Sequence, residues 1–290
     1  MKVAAVDIGT NSMRLLIADA TAEYVRREVV TGLGRGVDRT GVLSDDAMAA
    51  TLPVLESYGQ EMATHGVARR MAIATSASRD AANREEFFDL AERVLGVRPT
   101  LISGDEEARL AYLGVTRFFE GHHPVVVSDI GGGSTEFVTA SGGISVDIGS
   151  VRVTERVLPD RPASPSQIDS ARSLIRDLFS VVEVGEVGSL VGVAGTWTEL
   201  PALARSLPSA TETDGHKVTR AEVGAVVDML AGLSIEDTMK LPSLNPKRAP
   251  VILGGVLIAE GVMNAVGAGV AEVSIHDTLD GVVADLLALL

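Results

Sequence analysis

The sequence predicts an α/β protein built from two related lobes that face a shared cleft. Three observations predict it. The apolar run Pro124 to Val127 leads to Asp129-Ile-Gly-Gly-Gly-Ser-Thr-Glu136 and then to Phe137, Val138 and Thr139, which reads as strand, tight glycine turn, strand. The same phrase opens the chain, where Val3 to Val6 leads to Asp7-Ile-Gly-Thr-Asn-Ser12 and then to Leu15, Leu16 and Ile17. Each copy is followed by a third extended run and by helices and strands in alternation, so the duplicated opening indicates duplicated lobes.

In the first lobe, taken as residues 1–120, the third extended run lies near Tyr24 to Thr31. The loop Gly32-Leu-Gly-Arg-Gly36 reads as a flexible connection to a helix capped by Ser44, with anion contact as the alternative. Residues 45–65 carry apolar positions at helical spacing despite Pro53, and Met71 to Ala74 reads as a buried strand. Ala74-Thr-Ser-Ala-Ser-Arg79-Asp-Ala-Ala-Asn83 moves from a strand end into a helix, and Ile102-Ser-Gly-Asp-Glu-Glu107 places three acids at the start of a helix running to about Phe119.

The second lobe, taken as residues 121–290, repeats the opening with strands over 127–130, 136–139 and 144–148, closed by Gly149-Ser-Val-Arg152. A helix follows from Ser166 to Val182, then a strand from Ser189 to Val193 that enters Ala194-Gly195-Thr196-Trp197. Residues 208–216 read as a polar surface loop, 218–230 and 234–241 as helices, and 251–271 as a buried helix opened by Pro246-Lys-Arg-Ala-Pro250. Glu260, Asn264 and several glycines interrupt that last segment, which argues against a membrane span. A strand over 271–275 precedes a final amphipathic helix, 277–290, for which the first lobe is a candidate packing partner.

Composition bounds the chemistry. At 290 residues with 46% apolar and 22% charged residues, the chain is globular, and its net charge of −14 argues against a nonspecific nucleic-acid surface. The absence of cysteine excludes disulfides, thiolate metal sites and cysteine nucleophiles, and is compatible with a reducing cytoplasm, as is an N-terminus that enters a strand with no visible secretory signal.

Consecutive glycines let a backbone approach an anion closely, and their N–H groups act with nearby hydroxyls. Candidate phosphate contacts are therefore Gly131, Gly132, Gly133, Ser134 and Thr135 in the second turn, and Asn11 and Ser12 in the first. Asp129 and Glu136 beside a phosphate repel it unless a hard cation intervenes, which implies Mg²⁺ or Mn²⁺, with Asp7 at the matching place in the first turn. A single copy reads equally well as a plain glycine hairpin; the repeat argues against that. Arg79 at a helix start offers a planar fork for phosphate, against the plainer reading of an exposed arginine on a capped helix. Gly195 and Thr196 form a third strand–glycine–hydroxyl–helix junction, and Arg152 is a further candidate contact. Trp197 reads as a packing residue in preference to a base-stacking one. Acids in a first helical turn are ordinary dipole complements, yet a hydrolytic phosphate site needs a base to deprotonate water.

Together, the two turns resemble the phosphate loops of the actin, sugar-kinase and heat-shock-chaperone superfamily. The set Asp7-Ile-Gly-Thr-Asn-Ser-Met-Arg-Leu15, Ala74 to Asn83, Ile102-Ser-Gly-Asp-Glu-Glu-Ala-Arg-Leu110 and Asp129 to Glu136 is similar to the Ppx/GppA phosphatase family across essentially the whole chain. The resemblance implies two ribonuclease-H-like (actin-like ATPase) lobes with a cleft between them, and Mg²⁺-dependent hydrolysis of terminal phosphoanhydride bonds. It implies Glu107 as catalytic base, Arg79 as phosphate ligand, and Asp129 and Glu136 at the metal. The implied substrate is inorganic polyphosphate, with guanosine pentaphosphate (pppGpp) of the stringent response as the alternative, and a homodimer is compatible. Long family members carry a further C-terminal helical module, so short polyphosphate is the expected substrate. Ser274-Ile-His-Asp-Thr-Leu-Asp-Gly281 departs from the family's glycine-leucine-arginine-glutamate-glycine form, and Ala249-Pro250 from its alanine-aspartate. The competing readings are an ATP-dependent small-molecule kinase, which needs an adenosine pocket near 195–200, and a noncatalytic alarmone sensor.

Overall fold

The structure, a computed structural model, describes residues 1–207 and 213–289. In chain order the elements are β1 (Val3–Ile8), β2 (Ser12–Ala18), β3 (Glu23–Val30), α1 (Val37–Thr40), α2 (Asp45–Thr64), β4 (Arg69–Ala74), α3 (Ser76–Asp80), α4 (Arg84–Leu95), β5 (Thr100–Leu101) and α5 (Gly104–Thr116). There follow β6 (Val125–Ile130), β7 (Thr135–Thr139), β8 (Gly142–Val146), α6 (Ser150–Val157), α7 (Pro165–Phe179), β9 (Ser189–Val193), α8 (Ala194–Arg205) and β10 (Lys217–Thr219). Last come α9 (Arg220–Ala231), α10 (Ile235–Thr238), a 3-10 turn (Pro246–Arg248), α11 (Ile252–Ala265), β11 (Val270–Val273) and α12 (Thr278–Ala288).

Contacts divide the chain into two units, Met1–Arg117 with Thr278–Leu290, and Phe118–Asp277. The expected boundary at 120/121 thus moves to 117/118. Residues 278–290, counted with the second lobe but with the first as their candidate packing partner, belong to the first unit, where Leu279, Val282 and Val283 pack with Leu110 and the strand residues Val3, Ala5 and Leu16. Apolar burial decides this: α12 covers a sheet face that would otherwise be wet.

The first sheet runs β3-β2-β1-β4-β5, and the second β10-β11-β9-β6-β7-β8. Read from the third hairpin strand, both follow one plan, an antiparallel three-strand meander followed by parallel neighbours, with β10 added at the edge of the second. Valine-rich β1 is buried on both faces, as a central strand between helical layers should be. Ala4, Val6 and Ile8 meet Leu55 and Tyr58 of α2 and Phe87 of α4 on one face. By alternation Asp7 continues the other face, the one covered by α5 and α12. In the second unit Val126, Ile130, Phe137 and Leu190 join α7, α8, α9 and α11 in one core, and Asp129 alternates away from it.

Several boundaries differ from the sequence reading. Residues 217–219 form a strand and not the start of a helix, because buried Val218 pairs with Ala271 on β11. The long apolar segment is helical only over 252–265; Gly267 at φ 69° ends it. Extended Ala81 breaks the expected single helix that Arg79 opens into α3 and α4, α5 stops at Thr116, α10 spans only four residues, and β8 ends at Val146. Of the expected polar loop, 208–212 lie outside the described residues. Among the described residues no helix is long and apolar enough to cross a membrane.

Candidate active site

In the first unit, the β1–β2 turn is closed by Gly9 N–H donating to the Ser12 carbonyl at 3.1 Å. The loop 32–36, expected to be flexible, instead clamps this turn. Thr31 and Gly32 donate to the Asn11 carbonyl at 3.0 and 2.9 Å, and Gly34 donates to the Thr10 carbonyl at 2.7 Å. Gly34 is required there, since a Cβ would collide with Thr10 and, at 2.8 Å, with Ala77. With the Thr10 carbonyl drawn toward the clamp, the planar trans peptide turns the Asn11 N–H to the opposite side. Ala77 N–H donates to the Thr10 hydroxyl at 3.1 Å, which seats α3 against the turn.

Asp7, 2% exposed, stands opposite Arg14 in the β1–β2 register. Arg14 Nε donates to Asp7 Oδ2 at 2.9 Å and Nη2 contacts the same oxygen, while Asp7 Oδ1 is buried without a hydrogen-bond partner. Asn11 Nδ2 is likewise buried without one.

The three acids opening α5 separate by environment. Ser103 caps the helix by accepting from Glu106 N–H, Asp105 is exposed, and Glu106 is tied to Arg109. Glu107 alone is buried, 9% exposed, and accepts from Arg79 Nη1 at 2.8 Å; the same nitrogen donates to the Ile102 carbonyl at 3.1 Å. Burial pushes the Glu107 carboxyl above its ordinary 4.5, Arg79 pulls it down, and the Asp7 charge raises it further. Arg79, expected at phosphate, therefore has a contact that the sequence did not suggest: it is paired with the buried Glu107 carboxylate.

In the second unit, Gly131 N–H donates to the Ser134 carbonyl at 3.0 Å, the same closure as in the first turn. The start of α6 replaces the 32–36 loop as clamp. Ser150 donates to the Gly131 carbonyl at 3.0 Å, and Val151 and Arg152 donate to the Gly132 carbonyl at 2.9 and 3.2 Å. The Gly132 and Gly133 N–H groups are thereby turned away from α6. Asp129 and Glu136 stand opposite each other in the β6–β7 register, 3% and 0% exposed, and Ser145 donates to Glu136 Oε1 at 2.6 Å. Ser134 is buried in the turn, while Thr135 is spent internally, its hydroxyl donating to the Ile148 carbonyl at 2.6 Å. Arg152 is buried beside Asp147, so it is no simple surface charge.

The third junction is built differently from its sequence reading. Gly195 opens α8, but the guanidinium of buried Arg248 lies where its Cβ would be, 3.6 Å from Glu199 one turn along the helix. Thr196 is buried against Gly255 of α11, and Trp197 is fully buried against Gly192, confirming the packing reading. Arg248 is the residue that sequence reasoning passed over. Its signal was the basic pair Lys247-Arg248 directly ahead of an apolar helix.

Among the described residues no three His, Cys, Asp or Glu side chains gather into a ready metal cage. An ion of the Mg²⁺ kind needs none, since it keeps waters and takes one or two carboxylates together with substrate phosphates. The register pair Asp129 and Glu136 fits that requirement.

The family model of the Ppx/GppA phosphatase family matches residues 17–288. The chain belongs to the Ppx/GppA phosphatase family. It is 36% identical to exopolyphosphatase 2 of Mycobacterium tuberculosis, over 98% of each chain. The crystal structure of an exopolyphosphatase-like protein superposes with a TM-score of 0.94 at 36% identity, covering 100% of both chains. The Aquifex aeolicus family member follows at 0.82 and 31%, covering 100% of this chain and 98% of its own. An exopolyphosphatase from Cytophaga hutchinsonii, at 0.89 and 21% identity, shows the same fold. This Ppx/GppA chain thus has the mixed α/β architecture that its four motifs implied.

Proposed function

We propose that this chain hydrolyses the terminal phosphoanhydride bond of inorganic polyphosphate, short chains above all, releasing orthophosphate. The observation that carries this reading is Glu107, the one buried acid of the three opening α5, held by Arg79 and with its pKa raised above the ordinary carboxylate value by burial. Such a group is suited to take a proton from water as the water oxygen attacks the terminal phosphorus and the bridging P–O bond breaks. The likeness to proteins named exopolyphosphatase supports polyphosphate as the substrate. The N–H groups of Gly132, Gly133 and Asn11 would bind phosphate oxygens, and Asp129 and Glu136 would hold a divalent cation. Bound there, Mg²⁺ or Mn²⁺ supplies positive charge that offsets the phosphates and the leaving oxyanion.

The kinase alternative needs room for adenosine near 195–200, where Arg248 covers Gly195 and Trp197 is fully buried. The deciding experiment measures phosphate release with Mg²⁺ from short polyphosphate, long polyphosphate, guanosine pentaphosphate and ATP in parallel. Short polyphosphate is expected to be cleaved fastest, and Glu107→Gln to lose about 10²–10⁴-fold in rate. Preference for guanosine pentaphosphate would make the chain an alarmone phosphatase, release from none would favour a sensor, and full activity in Glu107→Gln would remove the base assignment.

A further inference from the structure

The segment Ser274 to Gly281, which departs from the family form, has no part in the reaction proposed above. Its last residues, Asp280 and Gly281, are buried in α12. Gly281 lies directly on the backbone of α5. A Cβ there would collide with the Leu110 carbonyl oxygen and, at 2.8 and 2.9 Å, with the Leu110 carbonyl carbon and Cα. Of the two helices, α12 is the anchored one. Asp280, beside the contact, accepts from Arg26 Nη1 at 3.1 Å and Nη2 at 2.9 Å on β3, and Leu279, Val282, Val283 and Leu286 are buried with Val3, Ala5 and Leu16 of the sheet. Leu110 joins that cluster from α5, three residues after Glu107, about 4.5 Å along the helix and on the same face.

Resting on the assignment of Glu107 as base, we propose that Gly281 and Asp280 are positioning residues for the reaction. The α12 backbone at Gly281 is the stop against which α5 sits, Asp280 fixes that stop to β3, and together they set where the Glu107 carboxylate stands. A Cβ at 281 meets backbone, which cannot rotate aside, and moving those carbons out to ordinary contact takes about 1 Å. A helix moves as a unit, so Glu107 is carried with Leu110. Misplacing a catalytic group by about 1 Å can cost about 10²-fold in rate. The N–H groups assigned to phosphate lie on the glycine turns and not on α5, so substrate affinity is spared.

The test is steady-state phosphate release from short polyphosphate, at saturating Mg²⁺ and well below the melting temperature of every variant. Gly281→Ala is expected to lower kcat about 10²-fold with KM unchanged. Leu286→Ala is the control, since it removes buried surface further along α12 and inserts nothing between the helices; it is expected to lower the melting temperature and keep kcat. In the Glu107→Gln background, Gly281→Ala is expected to cost nothing further, because the group that it displaces is already gone. A folded Gly281→Ala with wild-type kcat, an equal kcat loss in Leu286→Ala, or an undiminished loss in the Glu107→Gln background would overturn the proposal. If circular dichroism shows Gly281→Ala unfolded, Asp280→Asn carries the test by weakening the tie to Arg26: a loss of kcat with KM unchanged is expected, and an unchanged kcat overturns the inference. Full activity in Glu107→Gln alone would instead overturn the base assignment itself.

Discussion

Glu107 has two opposed dependences on pH. Burial raises its folded pKa above the ordinary 4.5, and the Arg79 ion pair only partly offsets that. Its contribution to stability is therefore fully present below the unfolded pKa and is lost as pH rises through the raised folded value. If Glu107 acts as the base proposed above, activity runs the other way, because a base must be ionised. We expect kcat/KM to climb through an apparent pKa above 4.5, with that limb absent from the residual activity of Glu107→Gln. Arg79→Met should move the limb to higher pH by removing the neighbour that favours the carboxylate. A pH–rate profile of the three proteins checks this, and an unshifted limb in Arg79→Met would remove Arg79 from the role of holding the base.

At the scale of elements, the glycine turns are shaped by what grips their carbonyls. Gly149 leads α6 onto the second turn, and a Cβ there would meet Gly132 and, at 2.5 Å, the Gly133 backbone nitrogen. Backbone cannot rotate aside as a side chain can, so Gly149→Ala should cost about 1–3 kcal/mol of stability. It should also lower kcat/KM by displacing the N–H groups assigned to phosphate. Ser164→Ala is the control, since it removes the capping box with Gln167 at the start of α7, worth about 1 kcal/mol, far along the chain from the turn. Thermal melts and phosphate-release assays on both variants separate the effects. Equal losses of kcat/KM would mean that general stability, and not turn geometry, governs activity.

For the whole molecule, the net charge of −14 opposes the approach of a polyanion. Added salt screens charges beyond about 8–10 Å at physiological ionic strength. At saturating Mg²⁺ we therefore expect KM for polyphosphate to fall as KCl is raised at low ionic strength, the opposite of a basic polyanion binder. Steady-state kinetics across a salt series reads this directly. A KM that rises from the first addition would point to a locally basic approach path. The same scale gives the second unit the last word on its edge strand: β10 exists only because Val218 finds β11.

The duplicated hairpins, the buried strands, the capped helices and the four motifs were legible in the sequence because each is a local pattern of residue types whose periodicity or turn chemistry has one structural solution. That is why the α/β class and the family could be read from residues alone. What the sequence could not contain was proximity between residues far apart in the chain. Arg79 meets Glu107 because β4 and β5 are parallel neighbours whose ends deliver α3 and α5 side by side. Arg248 covers Gly195 because the turn before α11 folds onto the start of α8. The loop 32–36 becomes a clamp because Gly34 lacks the Cβ that would strike Thr10 and Ala77. Likewise, α12 joins the first unit because its apolar side completes that unit's core. Local chemistry determined which residues could act; packing, through burial and register, decided which of the three acids became the candidate base and set Arg14 against Asp7.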